Sequence, residues 1–194
     1  LDVLESLQGA SGPPPEDRRP VLAHLQLVHP DDFRRMAAMD VTAVIAPYWS
    51  IIDDYFWELY VDYLGRKRAF FQQYPQKAFL EHGVNLAFHS DFSVVAPDSM
   101  RAIYSALTRR VPRRTFERHY GHNPAYRYVP EAGTDLTYGD MGALPPEAEC
   151  LDLAEALRAY TMGGAYGNFL EKELGSITVG KLADLVVLDR NLYM

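Results

Sequence analysis

Val21-Leu-Ala-His-Leu-Gln-Leu-Val28 is the stretch that decides how this chain folds. Side chains alternate along an extended strand, so Leu22, His24, Gln26 and Val28 share one side, and Ala23, Leu25 and Leu27 the other. Both sides are largely apolar, as expected for a parallel strand covered on both faces, and the strand is expected over residues 19–28. Working outward, residues 41–46 and 84–88 are two further short apolar runs of strand type. Between them lie helical segments. Pro30-Asp31-Asp32 starts one with acidic residues in its first turn. Residues 53–73 form a long aromatic-rich helix, with Tyr55, Leu59, Asp62 and Tyr63 near one face. Residues 78–82 form another, ended by Gly83. A further helix is expected over 97–110. Strand and helix alternate at short intervals, which implies parallel strands joined by crossover helices in an α/β fold. That pattern suits a doubly wound sheet or part of a barrel.

The flanks read differently. Leu1, Leu4 and Leu7 share a helical face, and residues 9–15 break the helix. Residues 111–149 are rich in Pro, Gly, Tyr and Arg and carry no period, as in a long loop serving as lid or partner surface. Helices are expected at 151–160 and 165–172. Residues 175–189 read as two short β segments around a turn at Gly180-Lys181.

With 194 residues, 48% of them hydrophobic, the chain can bury a substantial core. Its net charge of −7 argues against nucleic-acid or membrane-surface partners, which need clustered Lys and Arg. The basic runs at Arg66-Lys67-Arg68 and Arg109-Arg110 read as solvated helix ends. Cys150 is the sole cysteine, so no intrachain disulfide forms, which fits a reducing, cytoplasmic setting. No apolar run approaches the ~18 residues of a membrane span.

His24 lies toward the end of the first strand and Asp91 just past the third, where α/β folds assemble their sites. An imidazole and a carboxylate suit a zinc-like ion, and a carboxylate can take a proton from an activated water. Taken alone, His24 reads more simply as a packed strand histidine, and Ser90-Asp91 equally suits a turn cap. His119 and His122 fall in the irregular segment, and His29 is expected on the face opposite His24. Cys150 has no nucleophile context, and there is no nucleophile elbow or phosphate loop. The aromatics Tyr48 and Trp49 suit an apolar pocket.

Four stretches carry a family resemblance: Val21–Val28 with Pro30-Asp-Asp-Phe33; Leu64-Gly65…Arg68 with Gly83-Val-Asn-Leu-Ala-Phe-His-Ser-Asp91; Ala154-Glu-Ala-Leu-Arg-Ala-Tyr-Thr161 with Gly164-Ala165; and Gly175-Ser-Ile-Thr-Val-Gly-Lys-Leu-Ala-Asp-Leu-Val-Val-Leu-Asp189. In this order they resemble the amidohydrolase superfamily, and within it the group related to N-substituted formamide deformylase. The resemblance implies a (β/α)8 metal-dependent hydrolase barrel, of which residues 1–174 would hold strands six to eight and residues 175–194 the return into a small β-sandwich. It implies His24 and Asp91 as metal ligands, Asp91 as the catalytic base, and Gln26, Tyr48 and Trp49 near the substrate.

The family's first-strand His-x-His pair, fourth-strand bridging residue and fifth-strand His cannot be placed here. The chain therefore resembles a piece beginning just after that fifth-strand His. Two positions depart from the family pattern: Ala46-Pro47-Tyr48-Trp49 replaces Gln-Pro-x-His, and His89 replaces the Gly before Ser-Asp. By resemblance the intact enzyme cleaves an amide-like, non-peptide carbon–nitrogen bond in a small molecule. It would use one or two divalent ions, zinc first, whereas this piece alone keeps too few ligands to hold them. Its expected partners are the missing N-terminal half or a second copy of itself. The alternative is a degenerate barrel kept as a non-catalytic interaction module, with 111–149 as its contact surface.

Overall fold

The computed structural model describes residues 1–9, 17–53, 55–119 and 142–193. Its centre is a parallel sheet ordered β1 (Val21–Ala23), β2 (Thr42–Ile45) and β3 (Asn85–Phe88). Val21 pairs with Thr42, and Thr42 in turn with Asn85, so the three strands begin level. β2 is the buried centre, with Ala43 and Ile45 sealed in the core, while Val21 on the outer strand is half exposed. The α/β alternation read from the sequence is present.

The first strand is shorter than expected. In the observed register Leu25 would lie opposite Ala46, where Pro47–Trp49 begins a 3-10 turn, so no ladder partner continues beside it. His24 and Leu25 instead take positive φ, 72° and 38°. Side-chain alternation therefore holds only as far as Ala23. Leu27 meets the fold again through an isolated antiparallel bridge to Gln73.

Helices cover the sheet. α1 (Asp2–Gly9) rests Leu1 and Leu4 on the main core, and its Asp2 and Glu5 accept from Arg35 of α2 (Asp32–Ala38). Phe33 and Met36 of α2 meet Phe79, Ile45 and Leu86 in one apolar cluster. Each such side chain contributes roughly 1.5–3 kcal/mol on burial. The long helix expected over 53–73 is broken up: a π turn (Phe56–Tyr60) leads into α3 (Val61–Phe71), which kinks at Gly65 with φ 74° and ψ 153°. The extra residue in a π turn shifts the helical phase. Tyr55, Leu59 and Tyr63 accordingly face solvent, while Phe56 and Ala69 form a second core with Tyr74 and Leu144.

α4 (Gln76–Glu81) ends at Gly83, whose φ of 78° suits glycine and whose N–H donates to Leu80 O at 3.0 Å. Its start is capped from afar by the Glu149 carboxylate, which accepts from the N–H groups of Lys77 (2.8 Å) and Ala78 (3.2 Å). α5 (Ser99–Thr108) is capped by Asp98. A helix, α6 (Arg113–His119), opens the stretch expected to be irregular. The rest of that stretch, 120–141, lies outside the described residues, as do 10–16.

α7 (Leu153–Arg158) starts with a reciprocal cap between Asp152 and Glu155 and runs on through a π turn (Ala159–Gly163) into α8 (Gly164–Gly167). One continuous helical run thus stands where two helices were expected. The turn at Gly180-Lys181 does form, with Lys181 N–H on Thr178 O at 3.1 Å. No described residue in 175–193 is in a strand, however, and Val179 and Val187 are exposed. A β segment needs a neighbour to complete its ladder, and these find none among the described residues.

Arg109 overturns its reading as a solvated helix end. It is fully buried at the C-terminus of α5, where its guanidinium donates to the carbonyls of Leu144 (2.7 Å), Tyr74 (2.8 Å) and Gln73 (2.8 Å). Burial pushes its pKa down to about 10, which leaves it charged at neutral pH. Among the described residues no helix is long and apolar enough to cross a membrane.

Candidate active site

The last two carbonyls of the central strand position the chemistry. His24 donates its backbone N–H to Val44 O at 2.8 Å, and His89 donates its own to Ile45 O at 3.1 Å. Both histidines therefore leave the sheet from the C-terminal end of β2, one from each neighbouring strand. β2 itself runs into the 3-10 turn that carries Trp49. Three rings gather as a result. Trp49 stacks on His24 with centroids 5.3 Å apart and planes 22° apart. His89 lies 5.4 Å from His24 at 57° and meets Trp49 edge-on at 6.0 Å.

His89 is the unusual member. Its Nε2 is closed off from solvent and has no hydrogen-bond partner among the described residues. Leaving such an atom unsatisfied costs ~1–3 kcal/mol. Burial, reinforced by nearby His24, lowers its pKa, while Asp91 opposes the shift. The neutral ring is the form that can bind a metal ion. Asp91 follows two residues later at φ 51°, and its carbonyl accepts the Val94 N–H at 2.6 Å, which closes the turn after β3.

Gln26 and Tyr48, the other residues expected near the substrate, have contacts of their own. The Gln26 amide donates to Gln73 Oε1, and its backbone carbonyl accepts Tyr74 N–H at 2.8 Å. Gln26 therefore belongs to the junction below the second core. Burial, reinforced by Asp98, pushes the Tyr48 hydroxyl pKa up, while Arg101 opposes the shift. Only Trp49 of that adjacent pair joins the histidines. His29 is exposed beside Asp31, and the alternation used to place it ends before it. His82 caps α4 and stacks on Phe33 at 5.1 Å. Burial raises the Cys150 thiol pKa. His119 ends α6, and His122 lies outside the described residues.

Sequence reading treated His89 only as a departure from a pattern. The signal that could have found it is its spacing: two residues before Asp91, on the same strand end.

Histidines and a carboxylate thus stand at the C-terminal strand ends of a parallel α/β sheet, the end at which such folds assemble their sites. Residues 1–193 match the amidohydrolase family, and the chain belongs to it. It is 28% identical over 191 residues to Protein LONG AFTER FAR-RED 3 of Arabidopsis thaliana, covering 98% of this chain and 27% of that protein. It is 27% identical over 176 residues to the putative amidohydrolase YtcJ of Bacillus subtilis, covering 91% of this chain and 28% of that one. An uncharacterized metal-dependent hydrolase from Pyrococcus furiosus has the same fold over 97% of this chain and 31% of its own, with a TM-score of 0.63 at 22% identity. The chain thus spans less than a third of the length of these relatives.

Proposed function

We propose that this chain forms the active-site end of strands six to eight in a (β/α)8 metal-dependent hydrolase, with the first edge of its β-sandwich. The enzyme cleaves an amide-like, non-peptide carbon–nitrogen bond in a small molecule, as in the group related to N-substituted formamide deformylase. One observation carries this reading: in a chain of the amidohydrolase family, His24 and Asp91 stand just past the C-terminal ends of two strands of one parallel sheet.

The residues fit a divalent ion. Imidazole and carboxylate are its usual protein donors, and His89 offers a buried nitrogen with no other partner. Among the described residues no group of three or more His, Cys, Asp or Glu is disposed to hold an ion. The remaining donors come from the rest of the enzyme. When bound, the ion supplies Lewis acidity and lowers the pKa of the attacking water. His24 anchors it, with Trp49 holding the imidazole plane in place. Asp91 takes the proton from the attacking water and returns it to the leaving nitrogen, a general base turned acid. Zinc is the ion the donor set favours.

The test is a panel of N-formyl, N-acyl and cyclic amides given to the polypeptide carrying this chain, with amine release followed with and without a chelator. Release that stops on chelation and returns with zinc is the expected result. Turnover of none of them, together with no bound metal, would instead favour an interaction module.

A further inference from the structure

We propose that His89 is a further metal donor, an imidazole opposed to His24 across the end of the sheet. The proposal rests on the metal-dependent reading above and adds a ligand that neither strand-end motif requires.

Two imidazoles that share one tetrahedral zinc ion, with bonds of ~2.0–2.1 Å, have ring centres roughly 5 Å apart. The His24 and His89 rings are 5.4 Å apart and inclined at 57°. Their backbones are fixed by adjacent carbonyls of one strand, Val44 O and Ile45 O, so this separation is set by the sheet. Trp49 contacts both rings and limits their rotation away from each other. The Nε2 of His89 is sealed from water and unpartnered among the described residues. A small ion held between two nitrogens uses them as its own walls and needs less room than a water molecule.

A role in orienting another ligand would also weaken metal binding, so affinity alone does not decide. The whole polypeptide that carries this chain is therefore loaded with Co2+ alone, and the paramagnetically shifted ring N–H resonances of bound histidines are recorded by proton NMR. Zn2+ affinity is measured in parallel by chelator competition. His89→Ala and His89→Gln are both made, and the variant whose circular dichroism matches the parent is read.

The expected result is one fewer shifted ring N–H signal and at least tenfold weaker Zn2+ binding in the His89 variant, with a different signal missing in His24→Ala. A His89 variant that keeps every shifted signal overturns the proposal, and if His24→Ala still loses one, the metal-dependent reading stands without it. If neither variant alters the spectrum or the affinity, both fail together.

Discussion

Gly163 lies so close to Leu86 that a Cβ built on it would sit 1.9 Å from the Leu86 carbonyl oxygen. The contact joins the final helical run to β3, and Asn85 reinforces it by donating from its side chain to Gly163 O at 3.0 Å. Backbone cannot rotate out of the way as a side chain can. Gly163→Ala should therefore force helix and strand apart and cost about 1–3 kcal/mol or more. Thermal unfolding checks it: Gly164→Ala, which meets nothing within 4 Å, is the matched control and should hold or slightly raise the midpoint.

Arg109→Met keeps much of the side-chain volume but removes three donors from buried carbonyls. A loss of roughly 1–3 kcal/mol or more is expected, since each buried carbonyl left without a donor carries its own desolvation cost. Arg109→Lys restores the charge without the planar fork and should fall between. Urea midpoints read at constant slope would rank the three, and a Met variant as stable as the parent would contradict the role assigned to this side chain.

Arg19 reaches from the start of β1 to Glu171 at 2.8 Å and lies over the rings of Tyr166 and Phe169. Its hydrogen bonds lower the Glu171 pKa from the ordinary 4.5 to about 2. Because the folded carboxyl titrates below the unfolded one, the contact contributes fully above pH 4.5 and is lost as the pH falls toward 2. Stability of Glu171→Gln should thus trail the parent at neutral pH and converge with it in acid. A gap that stayed constant down to pH 2 would mean the pair is not coupled to titration.

Asp91→Asn in the active enzyme should lower kcat by ~10²–10⁴ while leaving KM nearly intact, since the amide keeps the shape and loses the base. His24→Ala should instead lower metal occupancy, read by elemental analysis. An Asp91 variant that retains near-normal kcat would remove it as the base.

Among the described residues β1 and β3 leave the two edges of the sheet unpaired, and Ile177, Val179 and Val187 of the tail are exposed. Unpaired edges and exposed apolar side chains favour association. Light scattering should therefore find the 194-residue chain self-associated. A monodisperse 22.0 kDa particle with sharp cooperative unfolding would argue for a self-contained domain.

The sheet was legible because residues 42–45 and 85–88 are apolar on both faces, and this is a local property. His24 and Asp91 were legible as strand-end residues by position. The early end of β1 was not, since it depends on the 3-10 turn at Pro47, just past β2, ending the ladder beside it. Arg109 was misread for a similar reason: its three acceptors come from residues about 35 positions away on either side, and no local charge pattern reports them. His89 looked like a blemish in a motif until the register set it beside His24.

The bonds at Arg109 also fix a gateway. Leu144 N–H donates to Arg109 O at 2.8 Å while Arg109 Nε donates back to Leu144 O at 2.7 Å, so the polypeptide departs and returns at one doorpost. Whatever length of chain hangs between them, the frame sees the same two endpoints, and lengthening such an excursion adds little entropic cost. The doorpost itself is shut away from water, because Arg109 and Leu144 are both fully buried.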